Sequence, residues 1–101
     1  MIKVLYEVIN DQYTSLKVSG HANYDEKGKD LVCASVSSIM FGFMNALDEL
    51  NEKVEVKQLT NEITIVNHSD SKIIQDYFEL VMIQLKTIEV SYGNFIKVER
   101  K

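Results

Sequence analysis

SGHANYDEKGKDLVCASVSS, residues Ser19 to Ser38, is the stretch on which the reading of the chain turns. It holds the single cysteine, Cys33, and one of the two histidines, His21. Before it the residues alternate as in a strand, and after it apolar residues recur at helical spacing. Between them, Asn23 to Lys29 is polar and has no period, so it reads as a loop. A histidine therefore leaves a strand, and a thiol enters a helix, within one short span of chain.

Upstream, Ile2, Val4, Tyr6 and Val8 fall on one side of a first strand, with Lys3, Leu5, Glu7 and Ile9 on the other. Asn10-Asp11 suits a turn, since both residues tolerate left-handed backbone angles. A second strand from Tyr13 to Ser19 returns beside the first as a hairpin. Gly20 closes it, either as a plain strand end or as a point of unusual backbone angles and close approach.

Downstream, Asp30 is the expected N-cap of a helix reaching about Leu50, its carboxylate accepting a free amide of the first turn. Val32, Val36, Ile39, Met40, Phe43, Leu47 and Leu50 form its buried stripe. Val54 to Leu59 and Glu62 to Val66 read as a second hairpin turning at Thr60-Asn61. His68 falls in the next loop beside Ser69 and Asp70, either of which suits the cap of a second helix. That helix, Ser71 to Val90, buries Ile74, Tyr77, Phe78, Val81, Leu85 and Ile88. Gly93 is expected in the left-handed position that ends it, and Phe95 to Glu99 is a last short strand. The order ββαββαβ predicts an α+β, two-layer fold, with two helices on one face of a mostly antiparallel sheet.

Composition narrows the function. The 101 residues suit a single domain, residues 1–101, with a core that needs neither disulfides nor metal. The hydrophobic fraction of 46% and charged fraction of 26% are those of a globular protein. A net charge of −4 argues against direct nucleic-acid binding, which needs clustered Lys and Arg. One cysteine excludes an internal disulfide framework and fits a reducing cytosol. MIKVLYEVI is broken by Lys3 and Glu7, so it lacks the apolar core of a signal peptide. No run reads as a membrane span. One Cys, two distant His and scattered carboxylates give no four-ligand metal spacing, so neither metal nor cofactor is expected. A cytoplasmic setting follows.

The chemistry starts from Cys33, about three residues into its helix, among amides without intrahelical acceptors. The positive helix end favours thiolate over thiol, and a protonated His21 nearby would favour it further. Free amides around Cys33 and Ala34 can stabilise an oxyanion on a carbonyl under attack. Ser37 stands one turn along on the same face, within reach of the thiol or a bound peptide. Asp30 can orient the imidazole, yet its charge opposes thiolate formation. The same residues also fit a bland account: a lone cysteine early in an apolar helix is commonly a small buried hydrophobe. His68 reads as a loop residue, and Asp25 and Glu26 as solvated charges.

Gly20-His21-Ala22, followed after a short loop by Gly28-Lys29-Asp30-Leu31-Val32-Cys33-Ala34, resembles the signature of the ribosomal-processing cysteine protease family, Prp. Val36-Ser37, Phe41-Gly42 and Asn45-Ala46 resemble that family's first helix. Gln84 to Glu89 and Tyr92 resemble the end of its second. The resemblance implies a homodimeric α+β peptidase that trims the N-terminal extension from a protein of the large ribosomal subunit. It implies His21 as general base and then acid, and Cys33 as the nucleophile that forms an acyl-enzyme. Asp30, Ser37 and Ala34 take supporting places. Gly20, Ala22 and Gly28 frame a loop that would cover bound peptide. Ser35 departs from the family, where glycine commonly follows the Cys-Ala pair, and a side chain there could narrow access to Cys33 or alter the preferred substrate. Two other readings use the same residues: a non-catalytic ribosome-assembly protein with a structural Cys33, and a thiol redox sensor lacking a resolving cysteine.

Overall fold

The computed structural model describes residues 1–26 and 29–101. Among these residues the elements run β1 (Ile2–Ile9), β2 (Gln12–Ser19), α1 (Leu31–Leu50), β3 (Val54–Leu59), β4 (Glu62–Asn67), α2 (Lys72–Tyr92) and β5 (Ile96–Arg100). The expected ββαββαβ order is the observed one. The strands form one five-stranded sheet in the order β3-β4-β2-β1-β5. Pairing is antiparallel except between β1 and β5, which run parallel.

That strand order explains where the helices lie. From β2 the chain must pass over β4 to reach β3, and α1 makes that passage. From β4 it must cross β2 and β1 to reach β5, and α2 makes that one. Both crossovers cover the same sheet face, where Ile2, Val4, Leu16, Val18, Ile65 and Ile96 meet Val36, Met40, Phe43, Ile74, Phe78 and Leu85 in one core. The opposite face carries Lys3, Lys17 and Lys97 toward solvent.

Local chemistry sets the element ends. Asn10 and Asp11 both hold positive φ (52° and 62°), the geometry of a tight primed hairpin turn. A β-bulge between Glu7 and Val8 shifts the pairing from Glu7↔Ser15 to Val8↔Tyr13 and leaves Thr14 without a partner across the strand. The periodic stripes hold in both helices: Val32, Val36, Met40, Phe43 and Leu47 are buried in α1, and Ile74, Phe78, Val81, Met82 and Leu85 in α2. Met82 joins the core although the sequence pattern passed over it, while Tyr77 and Ile88 are only half-buried.

Two expectations fail at helix ends. Gly93 is right-handed, not left-handed; α2 instead continues to Tyr92, and the Phe95 amide turns back to the Tyr92 carbonyl at 2.8 Å. The left-handed C-cap belongs to α1, at Asn51 (φ 51°). Neither Ser69 nor Asp70 caps α2. Its N-cap is Ser71, which makes no side-chain cap bond, and the Ser69 hydroxyl accepts the Ser71 amide at 3.0 Å one step earlier. By length and composition α1 is also apolar enough to cross a membrane, against the sequence reading, although here its apolar stripe is buried in the core.

Candidate active site

The end of β2 and the start of α1 meet because one runs directly into the other. β2 ends at Ser19, and Gly20 carries a positive φ of 88°. A Cβ on Gly20 would stand 2.5 Å from the Met1 carbonyl oxygen, so both the backbone angle and the space demand glycine here. Its amide donates to the Asn61 carbonyl at 3.0 Å, extending the β2–β4 pairing one residue past Ser19↔Glu62. His21 follows directly and is exposed.

Ala22 turns inward and is buried. Its amide donates to Cys33 Sγ at 3.4 Å, which joins the strand exit to the helix entry at the sulfur itself. Asn23 reverses the chain with φ 55°. Asp30 then caps α1 as expected: Oδ1 accepts the Cys33 amide at 3.0 Å. Oδ2 accepts the Tyr24 amide, also at 3.0 Å. Desolvation pushes the Asp30 carboxyl up, but the amides of Cys33, Tyr24 and Asp25 and the Cys33 side chain outweigh it, and the group titrates below its ordinary value.

These bonds change what the first turn can offer. The Cys33 amide is held by Asp30 Oδ1, and the Ala34 amide donates to the Asp30 carbonyl at 3.0 Å. Both amides expected to face an oxyanion are thus occupied by the cap. Asp30 accepts backbone amides through both oxygens, so it works as a bridge between loop and helix.

Two adjoining clefts open over the sulfur. One, of about 180 Å³, lies between α1 and the β3–β4 turn; His21, Cys33, Ser37 and Gly20 line it with Met40, Phe41, Leu59 and Ile63. The other, of about 530 Å³, is lined by His21, Cys33, Ala34, Ser37, Asp30 and Asn61 among others. Cys33 is half-buried, touching the core on one side and both clefts on the other. The structure therefore brings His21, Cys33, Ser37, Ala34, Asp30 and Gly20 to one place, with Ala22 beneath them. Gly28 lies outside the described residues.

Two residues join the site that the sequence reading left out. Asn61, read only as a turn residue, lines both clefts, and Asp25, read as a solvated charge, borders the larger. Ser35 does the reverse. Its hydroxyl donates to the Leu31 carbonyl at 2.7 Å, and it lines neither cleft, so it does not narrow the access to Cys33 as expected. His68 stands far off on β3's side, 3.2 Å from Glu55. Among the described residues no three His, Cys, Asp or Glu side chains converge as a metal site.

The family model for cysteine protease Prp matches residues 1–97. The chain belongs to the Prp cysteine protease family. A ribosomal processing cysteine protease Prp of Mycoplasma genitalium is 31% identical over 93 residues, covering 92% of this chain and 94% of the relative. That of Mycoplasma pneumoniae is 36% identical over 88 residues, covering 83% and 84%. Among solved structures, an essential ribosomal processing protease Prp from S. aureus, in complex with a covalently linked product peptide, superposes with a TM-score of 0.94 at 28% identity. Each of these two chains is covered completely. A second structure of the S. aureus protease, with a substrate peptide, gives 0.87 at 27% identity over both full chains. The chain is accordingly a cysteine peptidase of the Prp family, and the non-catalytic reading falls away.

Proposed function

We propose that this peptidase removes the N-terminal extension of a large-subunit ribosomal protein, with Cys33 as nucleophile and His21 as general base and acid. The observation that carries the assignment is the Ala22 amide 3.4 Å from Cys33 Sγ, directly beside His21 on the same strand exit. It seats the sulfur where the two clefts lined by His21 meet.

In this reaction the imidazole of His21 takes the Cys33 proton, and the sulfur attacks the scissile carbonyl carbon. The tetrahedral intermediate collapses as His21 returns the proton to the leaving amine, which departs with the mature protein. The extension remains as a thioester on Cys33. A water that gives its proton to His21 then attacks this thioester, releasing the extension as a free acid and restoring the thiol. Ser37, exposed and one turn from Cys33, borders the peptide path, and Asp30 keeps the helix entry in place. The loop after His21 closes over bound peptide. No metal or cofactor takes part, and nucleic acid is not contacted directly.

We place the reaction in the cytoplasm, and the enzyme acts as a homodimer. The support for pairing is the row of apolar side chains left exposed on α2, with Leu80 at 55% and Ile83 at 53%. Light scattering would then report twice the chain mass of 11.6 kDa.

The test of the chemistry is cleavage of the extended ribosomal protein followed by mass spectrometry. Cys33→Ala and His21→Ala each abolish cleavage, with a loss of about 10³-fold or more. Each retains the wild-type circular dichroism. Undiminished cleavage by Cys33→Ala overturns the assignment.

A further inference from the structure

His21 sits on irregular backbone, so something other than sheet pairing must fix its place along the clefts that Cys33 also lines. Gly20 is fixed on one side by its amide bond to the Asn61 carbonyl. On the other side the fixed point is Tyr24. Its ring meets Tyr92 edge-on (centroids 5.4 Å apart, planes at 88°) and Phe95 in the same way (5.1 Å, 83°). That seat is itself anchored, because the Phe95 amide bonds the Tyr92 carbonyl and the Phe95 carbonyl accepts the Ile2 amide, both at 2.8 Å. Tyr24 therefore ties the strand exit to the end of α2 and, through Phe95, to the start of β1.

We propose that Tyr24 is a positioning residue for the Cys33–His21 pair, acting through the seat of its ring on Tyr92 and Phe95. Edge-to-face aromatic contacts are directional, so two of them at near right angles fix both the place and the tilt of the ring. With the ring seated, the Tyr24 amide reaches Asp30 Oδ2, and the other oxygen of that carboxylate holds the Cys33 amide. Two residues earlier the Ala22 amide meets Cys33 Sγ. Unseating the ring releases the segment at Tyr24 and lets both links loosen together. Tyr24 is 39% exposed, so its contribution to the core is small compared with its hold on the loop.

The inference rests on the reading of Cys33 and His21 as the reacting pair. Its test uses the full chain and two independent readouts: cleavage of a fluorogenic peptide spanning the extension junction, and the rate of Cys33 alkylation by iodoacetamide at a fixed pH. Tyr24→Ala is expected to lower kcat about tenfold or more with KM changed by less than about threefold, as misplacing a reacting pair does. It also changes that alkylation rate by about threefold or more, because the Ala22 amide no longer holds the sulfur in its place between the clefts. Tyr24→Phe keeps the ring and restores both readouts to within about twofold of wild type. Tyr92→Ala reproduces the effects of Tyr24→Ala, and the double variant is no worse than either single one.

The proposal is overturned if Tyr24→Ala leaves kcat and the alkylation rate unchanged, if Tyr24→Phe is as impaired as Tyr24→Ala, or if the loss follows only the unfolded fraction measured by thermal melting. Alkylation needs no peptidase activity. A peptidase in which Cys33→Ala still cleaves would sink the catalytic reading while the alkylation rate of Tyr24→Ala still judged the seat.

Discussion

The two ends of β2 are held by different kinds of interaction. At its beginning, Tyr13 lies beyond the β2–β4 ladder, which starts at Ser15↔Val66, and side chains take the place of strand partners. Its amide donates to Gln75 Oε1 at 2.6 Å, and its carbonyl accepts from Gln75 Nε2 at 3.0 Å and Asn67 Nδ2 at 3.1 Å. Its hydroxyl donates to Glu79, and its ring stacks on Phe78 with centroids 5.6 Å apart. Burial, followed by the Glu79 carboxylate, pushes the Tyr13 hydroxyl well above its ordinary pKa and keeps it neutral. At the other end, Gly20 and Ala22 are held through their backbone amides, so the side chains of His21, Ser37 and Asn61 stay available along the clefts. A strand end that engages its side chains for stability has none left for chemistry, and the reactive end is built the other way round.

Breaking the backbone hold at the reactive end should have the larger effect. Gly20→Ala places a methyl 2.5 Å from the Met1 carbonyl and forces a non-glycine residue to φ 88°. The combined strain is about 2–4 kcal/mol, and part of it is relieved by moving Gly20 and with it His21. We expect a lower urea midpoint together with a loss of kcat beyond what the unfolded fraction explains. A variant with full activity per folded molecule would show that His21 does not depend on this hold.

The far end gives the complementary case. Gln75→Ala removes both bonds to the Tyr13 backbone and leaves its half-buried amide without an acceptor, a cost of about 1–3 kcal/mol. Stability measured by urea unfolding falls, whereas kcat/KM at a temperature where the variant is folded stays within about twofold of wild type. Activity lost in step with stability would mean that the two ends of β2 are coupled.

The same contrast explains which features the sequence exposed. Alternation in β1 and three-to-four-residue spacing in the helices are local, and they located every element. Asp30 was legible as a cap because capping needs only the residue and the turn after it. Gly93 was misread because glycine permits a left-handed cap without requiring one, and the Tyr92–Phe95 turn ends α2 by another route. Asn61 had no local sign at all. It enters the site only because β4 pairs with β2 in the Ser19↔Glu62 register, which no window around Thr60-Asn61 contains. The amides of Cys33 and Ala34 likewise looked free from their place in the first turn, and only the geometry of Asp30 shows them bonded. His21 and Cys33 were legible as a pair through the family signature rather than through spacing.

The smallest expected effect tests whether the reactive end is held by charge as well as by shape. Asp30 bridges the Tyr24 and Cys33 amides with two acceptor oxygens, and its carboxyl titrates below the ordinary value near 3.9. Asp30→Asn keeps one acceptor, enough for a good helix cap, but turns an NH₂ toward the other amide. The helix should persist while the bridge to Tyr24 is lost. Because the folded carboxyl releases its proton more readily than the unfolded one, its contribution is fully present above about pH 4. It is lost as pH falls through the folded value. Thermal melting should therefore show Asp30→Asn a few degrees less stable than wild type at pH 7, on the scale of a lost cap interaction. The gap should close as both proteins are taken below pH 4. A constant gap across that range would mean that the bridge holds the strand exit by geometry alone, as the uncharged amides of Gly20 and Ala22 do.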